Sequence, residues 1–285
     1  MTSLQTLSLH SNSFTGTIPP DLGFLQNVKE LSLHSNKLEG SIPSQLASMR
    51  HLEELELHNN NLNGGIPTEF GLFQKLVEMT LHANNLRMFI PSEIGNLKLL
   101  KVLRLDQNQL FGSIPSEIGS LSSMINLNLH GNKLTGRIPK QIGNCLNMTE
   151  MRLYENNLSG PLPSELGLLT GLLKLSMSSN SLTGSIPKEI GNLRLLQGLW
   201  LHKNGLWGPI PSTIGSLQEL LWISLEENSL QRAIPAEMFN LTSLQELHLF
   251  NNRLTGRIPS TVGSMSSLSR LTISANGKSF FAVYF

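Results

Sequence analysis

The sequence predicts an α/β solenoid, a stack of short parallel strands joined by tight turns around a shared apolar interior. Three observations carry that reading. An Asn recurs at every twenty-fourth position from Asn12 to Asn276, twelve times without insertion or deletion. Around it the unit reads L-x-x-L-x-L-x-x-N-x-L-x-G-x-I-P-x-x-[LI]-G-x-L-x-x, with the apolar slots in register throughout. The ruler runs through almost the whole chain, so residues 1–276 are read as one repeat domain with incomplete first and last repeats, and 277–285 as an irregular apolar tail. A fixed period of this length is the signature of stacked repeats, each too small to bury its own apolar face.

Each element follows from the unit. L-x-L is a short strand, because alternate side chains point to opposite faces. In the second repeat Leu31 and Leu33 turn inward while Glu30, Ser32 and His34 turn outward. Val28, Leu38, Ile42, Leu46 and Met49 complete the inward set, which only neighbouring turns can bury. The recurring Asn suits the bend after the strand, since its amide satisfies backbone groups there, and stacking predicts a buried Asn ladder. G-x-I-P turns the chain again: Gly permits unusual backbone angles and Pro fixes φ. Short helical or 3-10 turns are expected on the opposite, convex side.

Composition excludes several classes. A net charge of +1 gives no bulk field for nucleic acid or an acidic membrane. One Cys builds no disulfide framework, and Cys145 is read as a buried thiol in an apolar slot that Leu97, Leu121 and Leu169 hold in other repeats. No apolar run is long enough to span a membrane, and no signal-peptide pattern opens the chain. The sequence has no nucleophile elbow, no H-E-x-x-H helix and no phosphate loop, so the expectation is a protein that is not an enzyme and needs no cofactor.

The stretches "NKLEGSIPSQL", "NQLFGSIPSEIGSL", "NKLTGRIPKQIGN" and "NSLTGSIPKEIGNL" carry an L-x-G-x-I-P element that resembles the plant-type leucine-rich repeat family, over essentially residues 1–276. The resemblance implies a right-handed superhelix with a parallel sheet on its concave face. It also implies binding of a protein or peptide on that face or its flank, as in ectodomains of receptor-like kinases, receptor-like proteins and polygalacturonase inhibitors. Members of those groups usually start with a signal peptide and a Cys-containing cap. Here Met1 falls in a core column and the pattern stops after Asn276, so a fragment, a truncated gene or an array capped by other means is expected, with the tail covering part of the last repeat. The compartment stays open: the cell surface for a piece of a receptor-like protein, the cytoplasm for a free-standing scaffold.

Two outward patches are candidate partner sites for a monomeric array. The first lies in repeats nine to eleven, where Trp200, Trp222, His248 and Phe250 occupy outward strand slots and His202, Lys203, Glu226 and Glu227 flank them. Aromatic side chains with mixed charge beside them are typical of interface hot spots. The second is acidic and imidazole-rich. Glu30, Glu54 and Glu78 form one column; His34, His58 and His82, with His10 before them, form another; Glu56 lies between. The plain alternative is a solvated acidic face. If these groups pair, the carboxylates should keep the imidazoles charged to higher pH than a free His. The collinear His column is expected to be repeat consensus and not a metal site, since a flat row does not converge on one ion. Met88 and Arg232 replace the Gly of the motif, which reads as drift or as a local bend or contact point. Asn147, Asn157 and Asn240 head glycosylation sequons. An intracellular scaffold or a purely structural array remains the alternative to a recognition module.

Overall fold

A computed structural model describes residues 3–258 and 260–277, with backbone also at 280–281. The chain divides into two compact units, residues 1–148 and 149–285, each taken in turn.

Unit 1 carries six inner strands: Thr6–Ser8, Glu30–Ser32, Glu54–Glu56, Glu78–Thr80, Val102–Arg104 and Asn126–Asn128. Neighbours are parallel and pair at an offset of twenty-four, so that Leu31 lies beside Leu55 and Leu55 beside Met79. Every column of the repeat therefore becomes a column in space. The seven inward residues predicted for the second repeat are all buried, and Val28, Leu31, Leu46 and Met49 are fully so. Packing such side chains takes roughly 1.5–3 kcal/mol each out of contact with water.

The bend after each strand places positive φ on the residue before the ladder Asn, for example Ser35 at 54° and Ala83 at 52°. The Asn then binds the bend to its neighbours. Asn84 Nδ2 donates to the carbonyls of Leu81 and His82 in its own repeat and of Leu57 in the previous one. Its Oδ1 accepts the amide of Leu62 at 3.0 Å. Backbone groups that a tight turn would leave unpaired in the interior are satisfied by one side chain.

A flanking layer follows, with strands Thr15–Thr17, Lys37–Ser41 and Asn61–Asn63 in one sheet and Arg87–Met88, Gln109–Ser113 and Lys133–Gly136 after a break. The break falls where Met88 stands in the Gly column. Met88 holds φ 92°, which costs a residue with a β-carbon strain that Gly avoids. Arg232 in unit 2 holds φ 67°, yet its strand pairs with the one before it as well as the one after, whereas the Met88 strand pairs only with the one after.

Each turn on the far side is a five-residue 3-10 helix entered from a Pro, as at Ser44–Ser48 after Pro43 with φ −68°. Among the described residues there is no α-helix, so the α half of the expected α/β class is met by 3-10 turns alone. Twenty-four residues leave room for a single tight turn after two extended segments, and 3-10 geometry is the form short turns take.

Unit 2 repeats the plan with inner strands Glu150–Arg152, Lys174–Ser176, Gly198–Trp200, Trp222–Ser224, Glu246–His248 and Arg270–Thr272. Its flank ends in a pairing of Gly256–Arg257 with the backbone of Phe280–Phe281. Met1 and the side chains of the tail, on which the expected core column and the expected cover of the last repeat rest, lie outside the described residues.

Candidate functional site

Unit 1 brings the imidazole column together as a stack. The rings of His10, His34, His58 and His82 lie 4.4, 4.2 and 4.3 Å apart, within 10° of parallel. The Nδ1 atoms of His10 and His34 meet Ser11 and Ser35 Oγ, and that of His58 meets Thr80 Oγ1. His82 Nδ1 is buried without a partner.

This overturns the expected charge state. Burial lowers the pKa of His34, and Glu56, 3.9 Å from its Nε2, only partly opposes the shift. His58 is held down to about 4, by burial first and then by the charges that His82, His34 and Arg104 would place beside it. His82 moves the same way, through burial and then Arg104. Face-to-face rings shed water and leave a second positive charge too close to bear, so His34, His58 and His82 are neutral at pH 7.

The Glu column shows the same effect with opposite sign. Glu30, Glu54 and Glu78 are direct neighbours on adjacent strands. Burial and then the Glu30 and Glu56 charges raise the pKa of Glu54, and burial and then Glu54 raise that of Glu78. Among the described residues none of the three has a cationic side chain within the 4.0 Å of an ion pair; Glu30 accepts only from Thr6 Oγ1. The imidazole column, in turn, is interrupted after His82 by Asp106, 1% exposed, whose carboxylate takes a two-point hydrogen bond from Arg104 at 3.1 and 3.2 Å. That pair went unseen in the sequence, although its two-residue spacing on one strand face was the available signal.

Unit 2 gathers the aromatic candidates. Trp200, Trp222, Phe250, His202, His248 and Glu226 line a concavity of about 370 Å³. The indoles of Trp200 and Trp222 stack with centroids 6.3 Å apart. Both rings are half-buried rather than exposed, and Gly198 is the reason. Trp200 folds back over Gly198, where a β-carbon would overlap its ring, and Trp222 is the direct neighbour of Gly198 on the next strand. The floor is polar: Ser224 Oγ donates to the buried Glu226 carboxylate at 2.7 Å and meets His202 Nδ1 at 3.1 Å. Burial lowers the pKa of His202, with Glu226 opposing. His248 is held between Thr272 at 2.8 Å and Glu246 at 3.0 Å. Lys203 and Glu227 pair loosely at 3.9 Å beside the concavity and do not line it.

Other sequence signals fall as follows. Cys145 is buried, donates to the Ile118 carbonyl, and burial pushes its thiol up to about 11. Asn147, Asn157 and Asn240 are exposed. Trp207 is exposed on the flank, and the flank of unit 1 exposes Met88, Phe89 and Phe111, an apolar patch the sequence reading did not single out. Among the described residues no three His, Cys, Asp or Glu side chains are grouped to hold a metal ion, and no helix is long and apolar enough to cross a membrane.

In-register parallel strands, an Asn ladder and Pro-led 3-10 turns define a repeat solenoid whose open sheet face presents variable side chains. Sequence models described as "Leucine-rich repeat region", "Leucine rich repeat" and "Leucine Rich Repeat" match residues 175–280, residues 2–62, and residues 99–121 with 123–145. The chain belongs to the plant-type leucine-rich repeat family. Its fold is similar to a TDR receptor crystal structure, at 33% identity and TM-score 0.94 over 96% of this chain and 48% of that one. It is also similar to the ectodomain of the Arabidopsis receptor kinase HAESA in complex with an IDA peptide hormone, at 33% identity and TM-score 0.88 over 96% and 50%. The Leptospira interrogans leucine-rich repeat protein LIC12759 matches at 34% identity and TM-score 0.59 over 98% and 80%. The chain thus spans about half the length of the two receptors. No curated protein sequence matches it significantly.

Proposed function

We propose that the repeats of residues 1–276 form a non-catalytic recognition surface, the ligand-binding region of a receptor-like protein at the cell surface, and that the ligand is a peptide or protein segment. The supporting observation is the concavity of unit 2. Two indoles held down by Gly198 give large contact area at little entropic cost, next to a hydrogen-bonded carboxylate that can fix orientation. The HAESA structure was obtained with a peptide hormone bound, which supports the same class of ligand here. Trp200, Trp222 and Phe250 supply the affinity; His202, Glu226 and His248 set orientation; Lys203 and Glu227 act at the rim on encounter rate. The chain works as a monomer, and Asn147, Asn157 and Asn240 are its glycan sites on this reading.

The test is selection of random peptides on the full chain, followed by calorimetry with the winning sequence. Trp200→Ala plus Trp222→Ala should weaken binding at least about 30-fold, as loss of one hot spot of ~2 kcal/mol would. Glu54→Ala plus Glu56→Ala should leave that peptide's affinity unchanged. If the Glu pair abolishes binding and the Trp pair does not, the recognition site lies in unit 1. If no peptide is selected, the scaffold or structural reading replaces recognition.

A further inference from the structure

We propose that the hollow over Ser32 in unit 1, walled by Glu30, Glu54 and Glu56, binds the guanidinium of an arginine in an extended peptide. It is a second subsite, distinct from the aromatic concavity, and it rests on the peptide-recognition reading above.

Three observations meet here. The hollow, about 220 Å³, is bounded by His10, Glu30, Ser32, Glu54 and Glu56. At its floor Ser32 is 7% exposed, and its Oγ is buried without a hydrogen-bond partner among the described residues. A buried hydroxyl left unpaired destabilises the fold unless something that enters the hollow satisfies it. Glu30 and Glu54 face each other in register across adjacent strands, and among the described residues the basic groups at hand are imidazoles only: His10 on the edge of the hollow and His34, 3.9 Å from Glu56. Neighbouring carboxylates with no cation between them repel, and burial and the Glu30 charge already push Glu54 toward its protonated form. A cation in the hollow relieves both defects.

The geometry selects the cation. A metal ion needs converging ligands, whereas Glu30 and Glu54 stand about 4.8 Å apart on adjacent strands and Glu56 lies two residues further along the second of them, beside Ser32. A guanidinium presents five donors in a flat fork, enough to bridge Glu30 and Glu54 and still reach Ser32 Oγ. It is also weakly hydrated and stacks on ring systems, which suits a hollow closed on one side by the imidazole of His10. The ammonium of lysine is a compact point charge with three donors and cannot span the row. The repeat of Glu at position 78 continues the row, so a second arginine further along the same peptide finds a second carboxylate pair.

The experiment is calorimetry on the full 285-residue chain with the blocked peptide Gly-Arg-Gly-Arg-Gly and its citrulline and lysine counterparts. Citrulline keeps the shape and removes the charge. The arginine peptide should bind, and its affinity should fall at least tenfold in Glu30→Gln plus Glu54→Gln and severalfold in Ser32→Ala. Neither change removes an apolar contact, and the Gln pair relieves repulsion, so the melting temperature of that variant should hold or rise. Trp200→Ala plus Trp222→Ala should leave this binding intact. The proposal is overturned if the arginine peptide does not bind, if it binds the Gln variant equally well, or if the citrulline or lysine peptide binds as tightly. Any of those results leaves the aromatic site untouched, because that site is read out with a different peptide and different variants.

Discussion

In unit 1 the slot two residues before the ladder Asn holds His10, His34, His58 and His82, and each ring stacks on the next. In unit 2 the same slot holds His202, Glu226 and Phe250 among others, and its members turn to unlike neighbours such as Ser224. The backbone is the same in both. In a parallel in-register stack every residue meets its own counterpart twenty-four positions on, so faithful repetition of a residue sets like against like. That helps an amide, which donates and accepts, and it helps apolar groups. For ionisable groups it is unfavourable: Glu54 and Glu78 sit beside carboxylates, whereas Glu150 in unit 2 meets Lys174 at 3.0 Å and Arg152 at 2.7 Å. Chemical variation from repeat to repeat is what lets an open face build pairs and a shaped concavity.

The largest expected effect tests what the units share. Asn84→Ala and Asn204→Ala each remove a side chain bonded to three carbonyls and one amide, and each should cost about 3 kcal/mol from the lost hydrogen bonds and stranded backbone groups. Hydrogen exchange at the flanking repeats should show equal loosening; protection lost in one unit only would break the equivalence of the two backbones.

Gly198→Val has no counterpart in unit 1, whose corresponding slots carry Thr6, Glu30, Glu54, Glu78, Val102 and Asn126. The added side chain must expel Trp200, at a cost of about 2 kcal/mol by overpacking. Indole fluorescence should shift toward that of a solvated Trp. An unchanged emission spectrum would mean that the ring does not depend on the Gly for its seat.

The next effect is the pH response of the imidazole stack. His58 holds its proton only below about 4, against 6.5 in the unfolded chain, and His34 and His82 are shifted in the same direction. As pH falls below 6.5 the unfolded state takes up protons first, so stability that is complete above 6.5 is lost progressively toward pH 4. For the half-buried His58 ring screening keeps this to ~1 kcal/mol. Glu54 and Glu78 run the other way: their raised values penalise the fold at neutral pH, and the penalty lifts as the folded state protonates on acidification. NMR titration of the ring protons is decisive, and a His58 midpoint at or above 6.5 would refute the neutral stack.

The smallest effect separates the units by sign. Glu54→Gln should stabilise unit 1 by about 0.5 kcal/mol and lose that gain in about 1 M salt, because only repulsion is removed. Glu150→Gln should destabilise unit 2 by a similar ~0.5 kcal/mol, since it breaks two cation contacts. Equal signs would show that register neighbours do not govern these carboxylates.

The spacing of twenty-four alone was enough to place Leu31 and Leu33 inside, the Asn ladder at the bend and the variable slots outside. Those features depend only on the alternation of a strand and on stacking at a fixed period, and both are written in the residue order. The open face was another matter. That Trp200 lies over Gly198, that four imidazoles stack and burial keeps His34, His58 and His82 neutral, and that Ser32 keeps a hydroxyl unpaired among the described residues beneath three carboxylates were all decided in three dimensions. Each turns on which way a side chain leans toward a neighbour twenty-four residues away and on how much water it loses there, and neither quantity is set by the residue's own place in the repeat.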